Sequence, residues 1–218
     1  MDAIAEFERR LPQGLRKVFR SLKNPVDVQA YLDSLPYKAE ELDRSPLRVM
    51  TDGQAHCLDG GIFAALALWR TGFRPLILDL VPAPGSDDDH VLALFQVGGL
   101  WGALAKSNYP ALRYREPVQR SLRELVMTYF EVFFNVDGLK TLRGYTRPFN
   151  LAAYDRCDWQ TSESGSAAVI ERFYARKFIP VISPELVPSL SRLDQRAYLT
   201  NMSGVDRDGL YKGPAQGH

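Results

Sequence analysis

The sequence predicts an α+β fold in which one buried helix packs on an antiparallel sheet. An apolar run with helical spacing begins at Cys57. Three segments with strand character follow it: residues 73–80, 90–97 and 100–107, the last two joined by a Gly98-Gly99 turn. Because these strands follow one another without intervening helices, they favour an antiparallel sheet over alternating parallel units. Helical patterns on both sides predict additional N- and C-terminal helices.

Composition sets limits on the kind of protein. The chain has 218 residues and a formal net charge of +1. We expect a single domain over residues 1–202 and a flexible tail over 203–218. The balanced charge gives no reason to expect nucleic acid or a membrane surface as a partner. The N-terminus is acidic and amphipathic rather than a signal peptide, so a cytoplasmic location with Cys57 and Cys157 reduced is expected.

The N-terminal part reads as packing helices. Residues 1–23 predict one or two helices that break near Pro12. Asn24 as N-cap followed by Pro25 marks the start of the next helix. Residues 37–50 are mixed and charged, and we interpret them as a connector.

The helix that begins at Cys57 is apolar on most sides, which predicts burial. It is expected to extend to about Thr71, with Gly72 as the residue that ends it. Gly60 and Gly61 lie in its first turn, where each costs about 1 kcal/mol of helix propensity relative to alanine. That cost indicates close approach of another part of the chain.

The hairpin fixes a register that bears on function. A two-residue turn places Val97 opposite Leu100, and the same register places His90 opposite Ser107. A slip of one residue places Asn108 there instead. The preceding Asp87-Asp88-Asp89 reads as a solvated loop, with a metal-binding or substrate-amine role as the alternative.

The remaining chain predicts further helices. A long helix is expected from Pro117 to about Asn135, then a polar stretch over 139–164 with at most one short strand. Further helical patterns cover residues 166–178 and 186–199.

Cys57 is the candidate nucleophile. A cysteine in the first turn of a helix faces unpaired backbone N–H groups and the positive end of the helix dipole, which favour a thiolate. His90 is the candidate base and acid, and Ser107 or Asn108 the residue that orients its ring. Backbone N–H groups of Cys57 and Gln54 are candidate oxyanion donors. His56 is interpreted as a loop residue, because neighbouring helical residues point about 100° apart.

Residues 50–110 resemble the transglutaminase-like superfamily of papain-like cysteine enzymes. The matching motifs are the Cys-Leu-Asp-Gly-Gly sequence from Cys57, Asp-His-Val around His90, and Gly-Leu-Trp ending at Trp101. The resemblance implies a cysteine, a histidine and an aspartate in a Trp-x-x-Leu-Asp context. Ala105 stands where that aspartate is expected, so the third member is either Ser107 or Asn108, or the site has two members.

The resemblance implies a cysteine-dependent amide or peptide hydrolase or acyl transferase that works through a Cys57 thioester. The substrate is then a peptide, a protein or a small amide, with Trp101 as core or cleft wall. Two alternatives remain open: an inactive binding or scaffold module, and an arylamine-type N-acyltransferase. No cofactor is expected, and the histidines and cysteines lack the spacing of a zinc site.

Overall fold

A computed structural model describes residues 3–39 and 42–213. Its α-helices are α1 (Ala3–Arg10), α2 (Gln13–Ser21), α3 (Pro25–Ser34), α4 (Pro46–Asp52), α5 (Cys57–Arg70), α6 (Leu122–Phe130), α7 (Glu163–Tyr174) and α8 (Gln195–Asn201). Its strands are β1 (Leu76–Pro82), β2 (His90–Val97), β3 (Leu100–Leu104), β4 (Arg115–Gln119), β5 (Leu142–Thr146), β6 (Phe149–Asn150) and β7 (Phe178–Pro180). The predicted α+β class is confirmed.

The strands form one antiparallel sheet in the order β4-β3-β2-β1-β5-β7, and β6 pairs with β1 at its other end. The predicted hairpin register is confirmed, with Val97 opposite Leu100. Gly98 and Gly99 both adopt positive φ, of 58° and 81°, as the turn requires. The β2–β3 ladder ends at the pair Ala93–Leu104, so it stops before His90 and Ser107 are reached.

Two apolar clusters cover the two faces of the sheet. On one face, α5 packs against side chains such as Val91 and Ala93. On the other, α6 packs against alternate residues such as Leu92 and Leu94. The close approach predicted at the glycines of α5 is confirmed. A Cβ on Gly61 would lie 2.7 Å from the Val91 side chain, so the helix seats directly on β2.

The N-terminal helices are confirmed, including the break near Pro12. The side chain of Asn24 accepts a hydrogen bond from Asp27 N at 2.9 Å, as expected for an N-cap. The interpretation of residues 37–50 as a connector is wrong in its second half, where α4 forms. Ser45 caps α4 and Pro46 is its first residue, so a pattern read as a turn is a helix start.

The prediction of a long helix from Pro117 to Asn135 is wrong at both ends. Pro117 lies inside β4, on the edge of the sheet, where its missing N–H costs no ladder bond. The helix is α6, and it begins after Ser121, whose hydroxyl accepts a hydrogen bond from Glu124 N. The apolar spacing therefore predicted the middle of this segment correctly, and neither end of it is helical.

The C-terminal part is more irregular than predicted. Residues 139–164 contain β5, β6 and a 3-10 helix over Leu151–Cys157. The helical pattern at 186–199 is divided into a 3-10 helix over Pro184–Ser189 and α8. Residues 203–213 continue along the protein surface, and the last part of the predicted tail, 214–218, lies outside the described residues. Among the described helices, none is long and apolar enough to cross a bilayer.

Candidate active site

Cys57 is the first residue of α5, as predicted. Its side chain is half-buried and lines a cleft of about 390 Å³. The cleft walls also include Tyr37, His56, Asp89, Tyr174 and Tyr211. The thiol donates a weak hydrogen bond to the Asp89 carbonyl, with a sulfur-to-oxygen distance of 3.8 Å, and a backbone bond from Val91 also reaches the sulfur. The candidate nucleophile is thus open to the cleft. Its sulfur lies beside the backbone of Asp89 and Val91, the residues before and after His90.

The turn before α5 determines where the sulfur points. Gly53 ends α4 in the left-handed conformation, with φ 64°. Ala55 then pairs with the chain near Tyr37, donating to the Pro36 carbonyl and accepting from Lys38 N. This short pairing fixes the residues immediately before α5, so the start of the helix is held against the cleft.

His56 is the N-cap residue of α5 and is buried. Its Nε2 lies 3.1 Å from Asp59 Oδ1, 3.5 Å from Asp43 Oδ1 and 3.3 Å from the Leu42 carbonyl. Cys57 is close enough to contribute to the pKa of His56. Burial by itself lowers the pKa of His56, but the hydrogen bond to Asp43, the neighbouring Cys57 in its thiolate form and the charge of Asp59 raise it to about 11. At neutral pH, His56 is therefore an imidazolium beside the sulfur.

The interpretation of His56 as a loop residue rather than a base stays a prediction, but the geometric reason given for it does not apply. The 100° rotation between neighbours applies inside a helix, whereas His56 has extended N-cap geometry with φ −103° and ψ −169°. Its side chain can therefore lie on the same side as that of Cys57. The available signal was Asp59, three residues after His56, which is a capping-box spacing.

Burial raises the pKa of the Cys57 thiol, while the hydrogen bond and charge of His56 lower it. The charge of Asp89 adds to the upward shift. The outcome is a pKa above the ordinary value, so the unliganded protein holds a thiol at neutral pH. Cys57 then needs a base to become a nucleophile.

His90 is the first residue of β2 and is buried on the face of the sheet that α6 covers. Its Nε2 lies 2.7 Å from the carbonyl oxygen of Leu112. A carbonyl can only accept, so Nε2 carries the hydrogen and Nδ1 keeps a free lone pair. Burial lowers the pKa of His90 to about 4, and the charge of Arg115 adds to this, against the opposing effect of Leu112. His90 is a neutral imidazole at physiological pH.

Ser107 and Asn108, the two candidates for the orienting residue, line a small cavity of about 40 Å³ together with His90. Their hydrogen bonds go elsewhere. Ser107 Oγ accepts from Tyr109 N at 3.0 Å. The Asn108 carboxamide bonds twice to Asp206, donating to its carbonyl at 2.8 Å and accepting from its N–H at 2.9 Å. In this arrangement the group that orients His90 is the Leu112 carbonyl.

Ala105, at the position where the resemblance expects aspartate, is held by its backbone. Gln29 accepts a hydrogen bond from Ala105 N at 3.1 Å and donates to its carbonyl at 3.0 Å. The side chain of Ala105 lies in the apolar cluster on the α6 side. This face is the one that His90 occupies.

Gln54 and Trp101 lie outside the described lining of the Cys57 cleft. Gln54 is half-buried in the turn between α4 and α5. Trp101 lines a separate cavity of about 200 Å³ near Gly72 and Phe73. That cavity lies where β3 begins, whereas the small cavity beside His90 lies beyond the other end of β3.

The His90 cavity adjoins the Cys57 cleft. Tyr37, Asp88, Asp89 and Tyr211 line both spaces. Asp89 is the direct link, because its carbonyl contacts the sulfur and the next residue is His90. Cys57 lines only the cleft and His90 only the small cavity. The two side chains lie on opposite faces of the sheet, because α5 covers one face and His90 points to the face covered by α6. The structure therefore brings the two cavities together at Asp89 but not the Cys57 sulfur and the His90 ring.

One group of possible metal ligands lies within the described residues. Ligand atoms of Asp43, His56 and Asp59 all lie within 4.8 Å of one another. Asp59 is already bound by the backbone N of Arg44 at 2.8 Å and faces the Arg44 guanidinium at 3.4 Å. Because buried cations already neutralise this carboxylate, we interpret the group as a salt-bridge network.

No family model and no curated protein matches the sequence. Solved structures of Legionella pneumophila LapG resemble part of the chain. One has 17% identity and a TM-score of 0.35, over 47% of this chain and 70% of LapG. The EGTA-treated structure has 17% identity and a TM-score of 0.35, over 48% and 68%. The calcium-bound structure has 16% identity and a TM-score of 0.35, over 48% of this chain and 70% of LapG. This similarity is weak, so residue roles have to be inferred from the geometry of this chain.

Proposed function

We propose that this protein is a cysteine-dependent acyl-transfer enzyme, an amide or peptide hydrolase or an acyl transferase of the transglutaminase-like class. The observation that carries the proposal is the position of Cys57. Its sulfur lies at the start of a buried helix, opens into a cleft and neighbours His56, whose pKa is raised to about 11. A partly exposed position beside a cation is typical of reactive cysteines, while burial keeps the pKa of this thiol above its ordinary value, so the reaction needs a base.

In the proposed reaction, His90 turns from the α6 face toward the cleft and accepts the thiol proton at Nδ1 as the Cys57 sulfur attacks the substrate carbonyl carbon. The carbon–sulfur bond forms, and the carbonyl electrons move to oxygen. The Cys57 backbone N–H at the helix start is placed to donate to that oxyanion. His90 then returns the proton to the leaving amine as the carbon–nitrogen bond breaks, which leaves a Cys57 thioester. Water or an amine releases the acyl group.

The two histidines have separate roles in this scheme. His56 keeps its proton and stabilises negative charge as it develops on sulfur. His90 is neutral and can therefore take a proton. A pair of titratable groups whose surroundings move their pKa values apart is the arrangement expected where one acts as a charge and the other as a base.

Acylation by an activated ester tests the proposal. With p-nitrophenyl acetate, we expect one acetyl group on Cys57 by peptide mass spectrometry, with release of nitrophenol at the same rate. Cys57→Ser should lose the adduct. Cys157→Ser is the matched control, because Cys157 is also a free, half-buried thiol but lies in a 3-10 helix far along the chain. Equal modification of both cysteines would contradict a special role for Cys57.

A binding module is the second candidate. It is favoured by the fact that Ser107 and Asn108 both bond away from His90. A Cys57 that reacts no faster than a free thiol at the same pH, with no effect of replacing His90, would establish that alternative.

A further inference from the structure

A second cavity, of about 510 Å³, lies on the other side of Asp89 from the sulfur. It is bordered by β1, the loop 83–89, β5 and the C-terminal end of α7. Asp88, Asp89, Tyr174 and Tyr211 line both this cavity and the Cys57 cleft. A molecule bound near the sulfur can therefore extend into it.

Asp79 is the most unusual group in this cavity. It is a carboxylic acid in the middle of β1, and it is only 6% exposed. Its Oδ1 has no hydrogen-bond partner among the described residues. Leaving a buried polar atom unsatisfied is costly, and such an atom in a native structure calls for an explanation.

The neighbours of Asp79 do not supply the missing partner. Its backbone N–H donates to Thr146 Oγ1 at 3.0 Å, and no hydrogen bond joins that hydroxyl to the Asp79 carboxyl among the described residues. On the other side lies the carboxyl of Asp89, which itself accepts a hydrogen bond from Tyr174 at 3.0 Å. Asp87 and Asp88 border the same space, and Arg176 is the cation at its rim. Four acidic side chains therefore face one arginine.

We propose that this cavity is an acidic subsite that binds a primary ammonium group carried on an aliphatic chain, between the carboxyls of Asp79 and Asp89. Calling the ligand a substrate rests on the proposed function, since the subsite adjoins the Cys57 cleft. An ammonium group offers three hydrogens, enough to satisfy Asp79 Oδ1 and to contact Asp89 at the same time. The apolar walls, which include Pro82, Phe173 and Phe178, suit the methylene chain.

A metal ion fits the subsite less well. Within the described part of the chain, the group of possible ligands that lie close enough together is at Asp43, His56 and Asp59. That group does not include Asp79 or Asp89. Two carboxyls with apolar walls match an alkylammonium better than a divalent cation, which prefers a larger set of oxygen ligands.

The proton affinity of Asp79 provides a separate signature. Burial raises the pKa of Asp79 to about 9, with a further contribution from the charge of Asp89. The empty subsite therefore holds a proton on Asp79 at neutral pH. An ammonium ion favours the carboxylate and lowers that pKa, so binding should release about one proton to the buffer.

Calorimetry on the full chain tests the subsite, with 1,5-diaminopentane as the probe at neutral pH in buffers of different ionisation enthalpy. We expect saturable binding with release of about one proton, and no binding of neutral 1-pentanol. Asp79→Asn keeps the side-chain shape and should weaken the affinity at least about tenfold and remove the proton release. Glu171→Gln, an exposed carboxylate of α7 outside the cavity, is the control and should change affinity less than about twofold.

Asp89→Asn is the second variant, and a thermal melt shows which variants fold. It should also weaken diaminopentane binding, because its carboxyl is the other half of the site. A peptide with one lysine, compared with its acetyl-lysine form, distinguishes a protein substrate from a free amine. Equal binding of diaminopentane and pentanol, or unchanged binding by both folded variants, would overturn the subsite. Amine binding without any acylation of Cys57 would overturn the proposed function and leave the subsite standing.

Discussion

His56 lines the Cys57 cleft and His90 lines the small cavity that adjoins it, and their surroundings push their proton affinities in opposite directions. His56 has three oxygen atoms around Nε2, two of them from carboxylates, and its pKa rises to about 11. His90 has a single neutral carbonyl at Nε2 and is enclosed in the core, and its pKa falls to about 4. The groups that surround each ring therefore determine which histidine carries a positive charge and which stays neutral and can act as a base.

The largest effect on activity is expected from replacing His90. Replacing His90 by Gln removes the neutral acceptor, and we expect acylation of Cys57 to slow by about 10²–10⁴-fold. The measurement is the rate of nitrophenol release, with the fold checked by circular dichroism. The thiol pKa should stay close to that of the wild type, because a neutral ring contributes no charge. An unchanged acylation rate would exclude His90 as the base.

The next largest effect is expected on stability, when the carboxylate of Asp59 beside His56 is removed. Asp59 is fully buried between Arg44 and His56. Asp59→Ala removes the fully buried carboxylate that faces both Arg44 and His56, and it should lower the free energy of unfolding by about 3–5 kcal/mol. Asp52→Ala is the matched control, since Asp52 also pairs with Arg44, at 3.1 Å, but is 30% exposed; it should cost less than about 1 kcal/mol. Urea unfolding measures both, and equal losses would contradict the buried network.

The pH dependence of stability should have opposite signs for the two histidines. The raised pKa of His56 stabilises the fold fully below the unfolded value of about 6.5, and this contribution is lost as pH rises toward about 11. The lowered pKa of His90 acts on the acid side. The unfolded chain takes up that proton between about pH 6.5 and about 4, so stability falls as pH decreases through this window.

Urea unfolding as a function of pH separates the two contributions. His56→Asn should reduce the loss of unfolding free energy at alkaline pH and leave the loss at acidic pH unchanged. His90→Gln should do the reverse. If either variant changed both limbs equally, the two environments would not be independent.

A smaller effect is expected on the thiol itself. His56→Asn removes the cation that lowers the pKa of Cys57, so that pKa should rise further. Alkylation by iodoacetamide at neutral pH should slow by about tenfold for each unit of that rise, because the thiolate reacts. A rate that does not depend on His56 would show that the hydrogen bond between the two side chains has no electrostatic consequence.

The smallest effects are expected at Ser107 and Asn108. Because the Leu112 carbonyl already orients His90, Ser107→Ala and Asn108→Ala should change the acylation rate by less than about threefold, equivalent to ~0.7 kcal/mol. A large loss in either variant would assign that residue as the orienting group and remove the carbonyl from the account.

Much of the fold could be predicted from sequence, because its main signals are local. The spacing of the Cys57 helix, the Gly98-Gly99 turn and the Asn24 cap each depend on a few neighbouring residues. The errors fell where local signals are ambiguous. Ser45-Pro46 serves equally as a turn or a helix start, and Pro117 marks either a helix N-terminus or an edge strand.

The site was less predictable, because its deciding contacts span large distances in sequence. The Leu112 carbonyl lies 22 residues from His90, and Asp206 lies 98 residues from Asn108. No spacing rule connects such pairs. The raised pKa of His56 and the missing hydrogen-bond partner of Asp79 Oδ1 also depend on how deeply each side chain is buried. The burial of an individual polar side chain cannot be predicted from one sequence.

A proton titration of the histidines by NMR tests the central claim most directly. The chain has three histidines, so imidazole resonances can be assigned with the His56→Asn and His90→Gln variants. The account predicts that His56 keeps its imidazolium signature beyond pH 8 and that His90 keeps the neutral, Nε2-protonated signature down to about pH 5, following pKa values of about 11 and about 4. Titration of both rings near the ordinary value of about 6.5 would contradict the division of roles between them.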